Sequence, residues 1–92
     1  MSYSLKFTSD ALEDIDSHKK SGNLLILKKL AVLLEELTEH PRTGTGQPEE
    51  LKYEFSGCWS RRLTAKHRLV YKIKEDLVTV EIIYASGHYR DK

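Results

Sequence analysis

The chain has 92 residues and a net charge of +1, and 39% of its residues are apolar and 32% charged. These values fit one small globular domain, residues 1–92, and leave little room for a second core. Its one cysteine, Cys58, excludes an internal disulfide, and no apolar run is long enough for a membrane span. The first ten residues lack the apolar core of a secretory signal peptide, so we expect a cytoplasmic protein.

The two halves of the chain carry opposite net charge. Residues 1–50 hold six Lys/Arg and nine Asp/Glu, whereas residues 51–92 hold nine Lys/Arg and five Asp/Glu. A positive field over the C-terminal half favours a polyanionic partner such as nucleic acid. A solvated basic face with weak surface ion pairs fits the same counts, so charge alone leaves both readings open.

The first predicted elements are a strand and a helix. Apolar and polar residues alternate over Tyr3–Phe7 with the period of a strand that buries one face. Thr8 or Ser9 then offers a hydroxyl to cap a helix, which should end near Gly22. The residues expected to face the core are Tyr3, Leu5 and Phe7 from the strand and Ala11, Leu12 and Ile15 from the helix.

A second helix is predicted from about Leu24 to Glu39. Pro41 ends it, because the residue before a proline avoids the helical region. Its expected core stripe is Leu27, Leu30, Ala31, Leu34 and Leu37, widened by Leu25 and Leu33. The polar residues expected on the solvent side of the two helices are His18, Lys28, Lys29, Glu35, Glu36 and His40.

The C-terminal half predicts a glycine-rich loop, 41–48, followed by strands. Two or three strands are expected over Leu51–Phe55, Cys58–Thr64 and His67–Lys74, and a last one over Leu77–Tyr84. Sequential strands joined by short turns form an antiparallel meander, which the first strand must join. The predicted fold is therefore α+β in the order β-α-α-β-β-β, with the helix pair on one face of an antiparallel or mixed sheet.

The other face of this sheet is predicted to be basic. Alternation that buries Leu69 and Tyr71 turns Arg68 to the free face, with Arg62 beside it. Lys52 is expected on the neighbouring strand, and three cations this close repel one another unless they share an anion. The strand residues expected in the core are Trp59, Leu63, Leu69, Tyr71 and Ile73.

An acid and a histidine flank this basic cluster. Glu49 ends the glycine-rich loop, and His88 follows the last strand by four residues. RNA transesterification needs a base for the 2′-hydroxyl, an acid for the leaving 5′-oxygen and a cation beside the phosphorane. Glu49 suits the base, His88 the acid and Arg68 the cation, without a metal, and Tyr89 or Tyr53 suits stacking on a base. The alternative is that neither residue is catalytic: Glu49 would then be a solvated loop acid, and His88 an exposed histidine near the C-terminus.

The remaining reactive residues predict no second site. His67 opens a strand and is interpreted as a structural group whose hydrogen bonds are satisfied. Cys58 has no His or Asp spaced to make it a nucleophile. Four histidines and one cysteine at unrelated spacings predict no metal site.

Long motifs in the C-terminal half resemble the YoeB (Txe) branch of the RelE toxin superfamily. The loop motif is Gly44-x-Gly46-x-Pro48-Glu49-x-Leu51-Lys52. The strand motif is Ser56-Gly57-x-Trp59-Ser60-Arg61-Arg62-x-Thr64-x-x-His67-Arg68-Leu69-Val70-Tyr71, and His88-Tyr89 is similar to the family's closing pair.

This resemblance implies a RelE-like fold and the toxin of a bacterial toxin–antitoxin pair. Such toxins cleave mRNA in the ribosomal A site without a cofactor or metal. The expected partners are a cognate antitoxin, mRNA, the 70S ribosome and a second copy of the toxin. By this resemblance Glu49 is the general base, His88 the general acid, Arg68 the phosphorane stabiliser, Lys52 and Arg62 phosphate ligands, and Tyr89 a packing residue at the site.

Two other classes of function remain open from the residues. A module of the same fold that binds RNA or an antitoxin without cleavage would use the same basic strands. A protein-interaction domain would instead use the leucine-rich second helix.

Overall fold

The computed structural model describes residues 2–87. The elements are β1 (Ser4–Phe7), α1 (Ser9–Lys20), α2 (Leu24–Glu39), β2 (Glu49–Glu50), β3 (Cys58–Arg62), β4 (Arg68–Lys74) and β5 (Thr79–Tyr84), with short 3₁₀ turns at Tyr53–Phe55 and Glu75–Leu77. The described strands form one sheet in the order β1-β5-β4-β3-β2, in which β1 runs parallel to β5 and the other neighbours are antiparallel. The α+β class, the helix pair and the mixed sheet are therefore confirmed.

Side-chain caps start both helices at the predicted places. The Thr8 hydroxyl accepts from the Ala11 N–H at 3.0 Å, and the Asn23 side chain accepts from the Ile26 N–H at 3.2 Å. α1 stops before Gly22, whose φ of +71° lies in the left-handed region that glycine adopts readily. No helix among the described residues has both the length and the apolar character needed to cross a membrane.

The core lies between the helix pair and one face of the sheet. On the helices, the predicted stripe is partly wrong: Leu12, Leu25 and Ala31 are exposed, whereas Ile26, which was not predicted, is buried. Apolar residues occur on most sides of α2, so their spacing alone does not fix which side meets the sheet. The fully buried apolar side chains of this core are Ala11, Leu33, Leu37, Leu69, Tyr71, Val80, Ile82 and Ala85. Val70 is also fully buried, on the other face of the sheet.

The strand predicted over Leu51–Phe55 is wrong. β2 contains only Glu49 and Glu50, which pair with β3, and the chain then leaves the sheet. Tyr53 has a φ of +60° and begins a 3₁₀ turn, a conformation that breaks an extended run. Lys52 therefore lies beyond β2, immediately before this 3₁₀ turn, rather than on a neighbouring strand.

Candidate active site

The sheet face opposite the helices carries two paired cations. Arg62 of β3 lies directly across from Arg68 of β4, as predicted. In residues 2–87 neither guanidinium forms an ion pair with a carboxylate. Like charges placed opposite each other in a sheet destabilise it, so the pair favours a bound anion.

Glu49 lies on the same face as this arginine pair. It is opposite Ser60 in the register, and Ser60 is opposite Val70, so the three residues form one cross-strand row. The next row on that face holds Arg62 and Arg68. With strands about 4.8 Å apart and a rise of ~3.4 Å per residue, the Cα atoms of Glu49 and Arg68 are about 12 Å apart. That separation leaves room between their side chains for a ribose and its phosphate.

A buried arginine, Arg61, holds the glycine-rich loop that leads to Glu49. Its side chain is fully buried, and its guanidinium donates to a Glu36 carboxylate oxygen at 2.7 Å. Its Nε donates to the Tyr71 hydroxyl at 3.1 Å. The remaining N–H groups donate to the backbone carbonyls of His40, Thr43 and Thr45.

Glu36 is the acid that this arginine requires. It also accepts from the Thr45 hydroxyl at 2.6 Å and from the Thr45 N–H at 2.8 Å. The Thr45 hydroxyl first, and then the Thr45 N–H and the Arg61 guanidinium, hold the pKa of Glu36 below its usual value against the opposing effect of burial. The prediction that Glu36 lies on the solvent side of α2 is wrong, because its carboxylate connects α2 to the loop. Alternation puts Arg61 on the same face as Trp59, and a cation on a core face demands a partner acid.

Two glycines let the loop pass close to these groups. Gly44 has a φ of +122°, and a Cβ there would overlap a Glu36 carboxylate oxygen. Gly46 has a φ of +86°, and a Cβ there would lie 3.0 Å from the Arg62 carbonyl oxygen. The Gly46 carbonyl also accepts from the Arg62 N–H at 2.7 Å. The loop is therefore fixed to the end of β3 immediately before Glu49.

The turn after β2 presents two more of the predicted residues. Lys52 is exposed, and Tyr53 is 91% exposed in its left-handed conformation. Phe55 packs back on the sheet, with its ring edge-on to Tyr84 at 6.3 Å between centroids. Lys52 and Tyr53 thus lie in the same connection as Glu49, three and four residues further along the chain.

The predicted acid and packing residue, His88 and Tyr89, lie outside the described residues. The N–H of Gly87 donates to the Nδ1 atom of His67 at 3.1 Å. Since His67 directly precedes Arg68, the backbone reaches the start of β4 one residue before His88. The interpretation of His67 as a structural group is confirmed.

His18 was predicted at the surface, and this is wrong. It is 6% exposed, its Nε2 donates to the Ala85 carbonyl at 2.7 Å, and its ring meets that of His67 edge-on at 4.9 Å between centroids. The segment after β5 folds back over α1 and covers it. A cavity of about 190 Å³ adjoins both histidines. Position 18 continues the spacing of Ala11 and Ile15, a signal that could have placed it on the buried stripe.

The other candidate groups offer little reactivity. Among residues 2–87 no three or more His, Cys, Asp or Glu side chains are grouped so as to hold a metal ion. Burial raises the pKa of the Cys58 thiol, which disfavours the nucleophilic thiolate.

Sequence comparison identifies relatives over almost the whole chain. A family model described as the YoeB-like toxin of bacterial type II toxin–antitoxin system matches residues 7–89. A toxin YoeB from Streptomyces coelicolor is 38% identical over 85 residues, which cover 92% of this chain and 98% of that protein.

Solved structures of similar proteins share the fold. A YoeB/ParE toxin from Agrobacterium tumefaciens gives a TM-score of 0.86 at 31% identity, covering 94% of this chain and 99% of that one. The Staphylococcus aureus YoeB is solved in a YoeB–YefM complex, with a TM-score of 0.82 at 30% identity, and as a dimer, with 0.81 at 29%. Both comparisons cover 97% of this chain and 100% of the other.

Proposed function

This chain belongs to the YoeB-like toxins of bacterial type II toxin–antitoxin systems, and we propose that it is an endoribonuclease that cleaves mRNA in the ribosomal A site without a metal. The observation that carries the proposal is the shared sheet face of Glu49, Arg62 and Arg68. An acid that shares a sheet face with a cation pair, which no carboxylate of residues 2–87 neutralises, suits attack on a phosphodiester.

The proposed reaction is an internal transesterification. Glu49 takes the proton of the ribose 2′-hydroxyl, and the 2′-oxygen forms a bond to the adjacent phosphorus. Arg68 stabilises the added negative charge of the phosphorane. The bond from phosphorus to the 5′-oxygen then breaks, and His88 gives that oxygen a proton. The products are a 2′,3′-cyclic phosphate and a 5′-hydroxyl.

Three further residues hold the substrate in this proposal. Lys52 and Arg62 bind phosphates that flank the scissile one, and both are exposed. Tyr89 packs against the substrate beside His88. Because the reacting 2′-hydroxyl is absent from DNA, the chemistry is confined to RNA.

The proposed partners follow from the family and the substrate. The Staphylococcus aureus relative is seen with YefM and as a dimer. We expect a cognate antitoxin to neutralise this chain, and we expect a second copy to form a homodimer with it. Cleavage in the A site requires mRNA and the 70S ribosome, and hence a cytoplasmic location.

Purified protein and 70S ribosomes programmed with a defined mRNA test the proposal. The wild-type protein should cut the A-site codon, and Glu49→Gln or Arg68→Ala should slow cutting by roughly 10²–10⁴-fold. Glu50→Gln is the matched control, because Glu50 is exposed on the same short strand and alternates to the other face. The same variants of Glu49 and Arg68 should relieve growth arrest on expression. Cutting at the wild-type rate by both would overturn the proposal, and binding without cutting by the wild type would favour the non-catalytic module.

A further inference from the structure

The chain after β5 is held by three side chains from other elements. The Asp14 carboxylate accepts from the Ala85 N–H at 3.0 Å, and the His18 Nε2 donates to the Ala85 carbonyl at 2.7 Å. Two residues later, the His67 Nδ1 accepts from the Gly87 N–H at 3.1 Å. Ala85 is thus bonded to two side chains of α1, and Gly87 is bonded to a side chain of the turn before β4.

This segment is also closely packed. Ala85 and Ser86 are buried, and a Cβ on Gly87 would overlap the carbonyl oxygen of Lys66. His18 and His67 touch each other edge-on, so each ring limits the movement of the other. The backbone at Gly87 therefore lies in close contact with Lys66 and His67 of the turn between β3 and β4.

We propose that Asp14, His18 and His67 are positioning residues for the proton donor. Their hydrogen bonds hold the backbone at Ala85 and Gly87, and the next residue in the sequence is His88. The inference rests on the proposed function, because it takes His88 as the general acid. A general acid acts only within hydrogen-bonding reach of its oxygen, and a displacement of about 1 Å reduces the rate by ~10²-fold.

The atoms in these contacts define matched variants. The His18 Nε2 faces a carbonyl and must carry a proton, and a Gln side chain places an N–H at a similar distance from the backbone. The His67 Nδ1 faces an N–H and must lack a proton, and an Asn side chain places an acceptor oxygen there. His18→Gln and His67→Asn should therefore keep the contacts that His18→Leu and His67→Leu remove.

A purely structural role for these residues would slow the reaction of any substrate. If the residues only position the acid, the slowing caused by their substitution should disappear when the leaving group needs no proton. An mRNA whose scissile 5′-oxygen is replaced by sulfur provides this case, because a thiol has a pKa of about 8.5 and leaves as a thiolate. The ratio of the sulfur rate to the oxygen rate within one variant is independent of the fraction of protein that is folded.

The test measures single-turnover cleavage of both mRNAs in programmed 70S ribosomes. The two Leu variants should cut the oxygen substrate roughly 10–10²-fold more slowly than the wild type, and the sulfur substrate within about threefold of it. His88→Gln, which removes the acid itself, should slow cutting of the oxygen substrate by roughly 10²–10⁴-fold and should likewise spare the sulfur substrate. His18→Gln and His67→Asn should cut the oxygen substrate close to the wild-type rate.

Two outcomes separate the possible failures. Equal slowing of both substrates by the Leu variants, with sulfur rescue of His88→Gln, would overturn the positioning inference and leave the proposed function standing. Absence of sulfur rescue in His88→Gln would remove His88 as the acid, and would overturn the positioning inference together with the general-acid step of the proposed reaction.

Discussion

Two neighbouring arginines of β3 have opposite roles. Arg61 is fully buried on the core face and bonded to Glu36 and the loop, whereas Arg62 is exposed beside Arg68. Strand alternation was sufficient to predict the direction of Arg62. It was not sufficient to predict that Arg61 organises the loop, because its partner acid lies on a helix 25 residues earlier in the chain.

Substitution by lysine should affect the stability of the protein differently at these two arginines. Arg61→Lys should lower the free energy of unfolding by about 2 kcal/mol, since the ammonium group cannot satisfy the buried carbonyls that the guanidinium bonds. Arg62→Lys should change it by less than about 0.5 kcal/mol, because the side chain is exposed. Urea unfolding of the two variants measures the difference. Equal stability would show that the Arg61 contacts do not hold the loop.

The pairing of Glu36 makes stability depend on pH in acid. Its pKa in the folded protein lies below the ordinary value of 4.5, so its stabilising contribution is complete above pH 4.5. As pH falls below that value the unfolded chain takes up the proton first, and the contribution is lost down to the folded-state pKa. Between pH 3 and 6, the free energy of unfolding should depend less steeply on pH for Glu36→Gln than for the wild type. Glu35→Gln, at an exposed neighbour, should keep the wild-type slope.

At the scale of elements, the loop before β2 needs glycine for contact as well as for conformation. Gly46 and Gly57 both have φ near +90°, but only Gly46 has backbone atoms close to where a Cβ would lie. Gly57→Ala should cost about 1–2 kcal/mol for the left-handed conformation alone. Gly46→Ala should cost more and should also slow A-site cleavage, because it moves the loop that carries Glu49. Equal stability losses with unchanged cleavage in both variants would contradict the role given to this loop.

The ends of the elements were more predictable than the sides they bury. The limits of α2 were predicted because the break near Gly22 and Pro41 act locally on the backbone, and the structure adds the Asn23 cap. Its buried side was partly mispredicted because packing on the sheet selects one among several apolar stripes. The prediction of a strand over Leu51–Phe55 was wrong because the residue pattern does not indicate the φ of +60° at Tyr53.

At the scale of the whole molecule, the sequence predicted one half of the candidate site more fully than the other. Arg62 and Arg68 could be placed on one face from local pattern, whereas Glu49 was predicted only to end the loop, and its pairing with Ser60 came from the structure. The support of the opposite side could not be predicted, because His18 and Asp14 meet Ala85 only through folding of residues about 70 positions apart. Such long-range contacts leave no periodic pattern in the sequence.

The proposed attack of a 2′-hydroxyl of the A-site codon on its own phosphate can be tested with a modified mRNA. An mRNA with a single 2′-deoxynucleotide just before the scissile phosphate is presented to the wild-type protein in programmed 70S ribosomes. Cleavage at that phosphate should be abolished, whereas a 2′-deoxynucleotide one position further 3′ should leave it unchanged, with a 2′,3′-cyclic phosphate on the upstream product. Undiminished cleavage of the first mRNA, or an upstream product with a 3′-hydroxyl, would contradict the proposed chemistry.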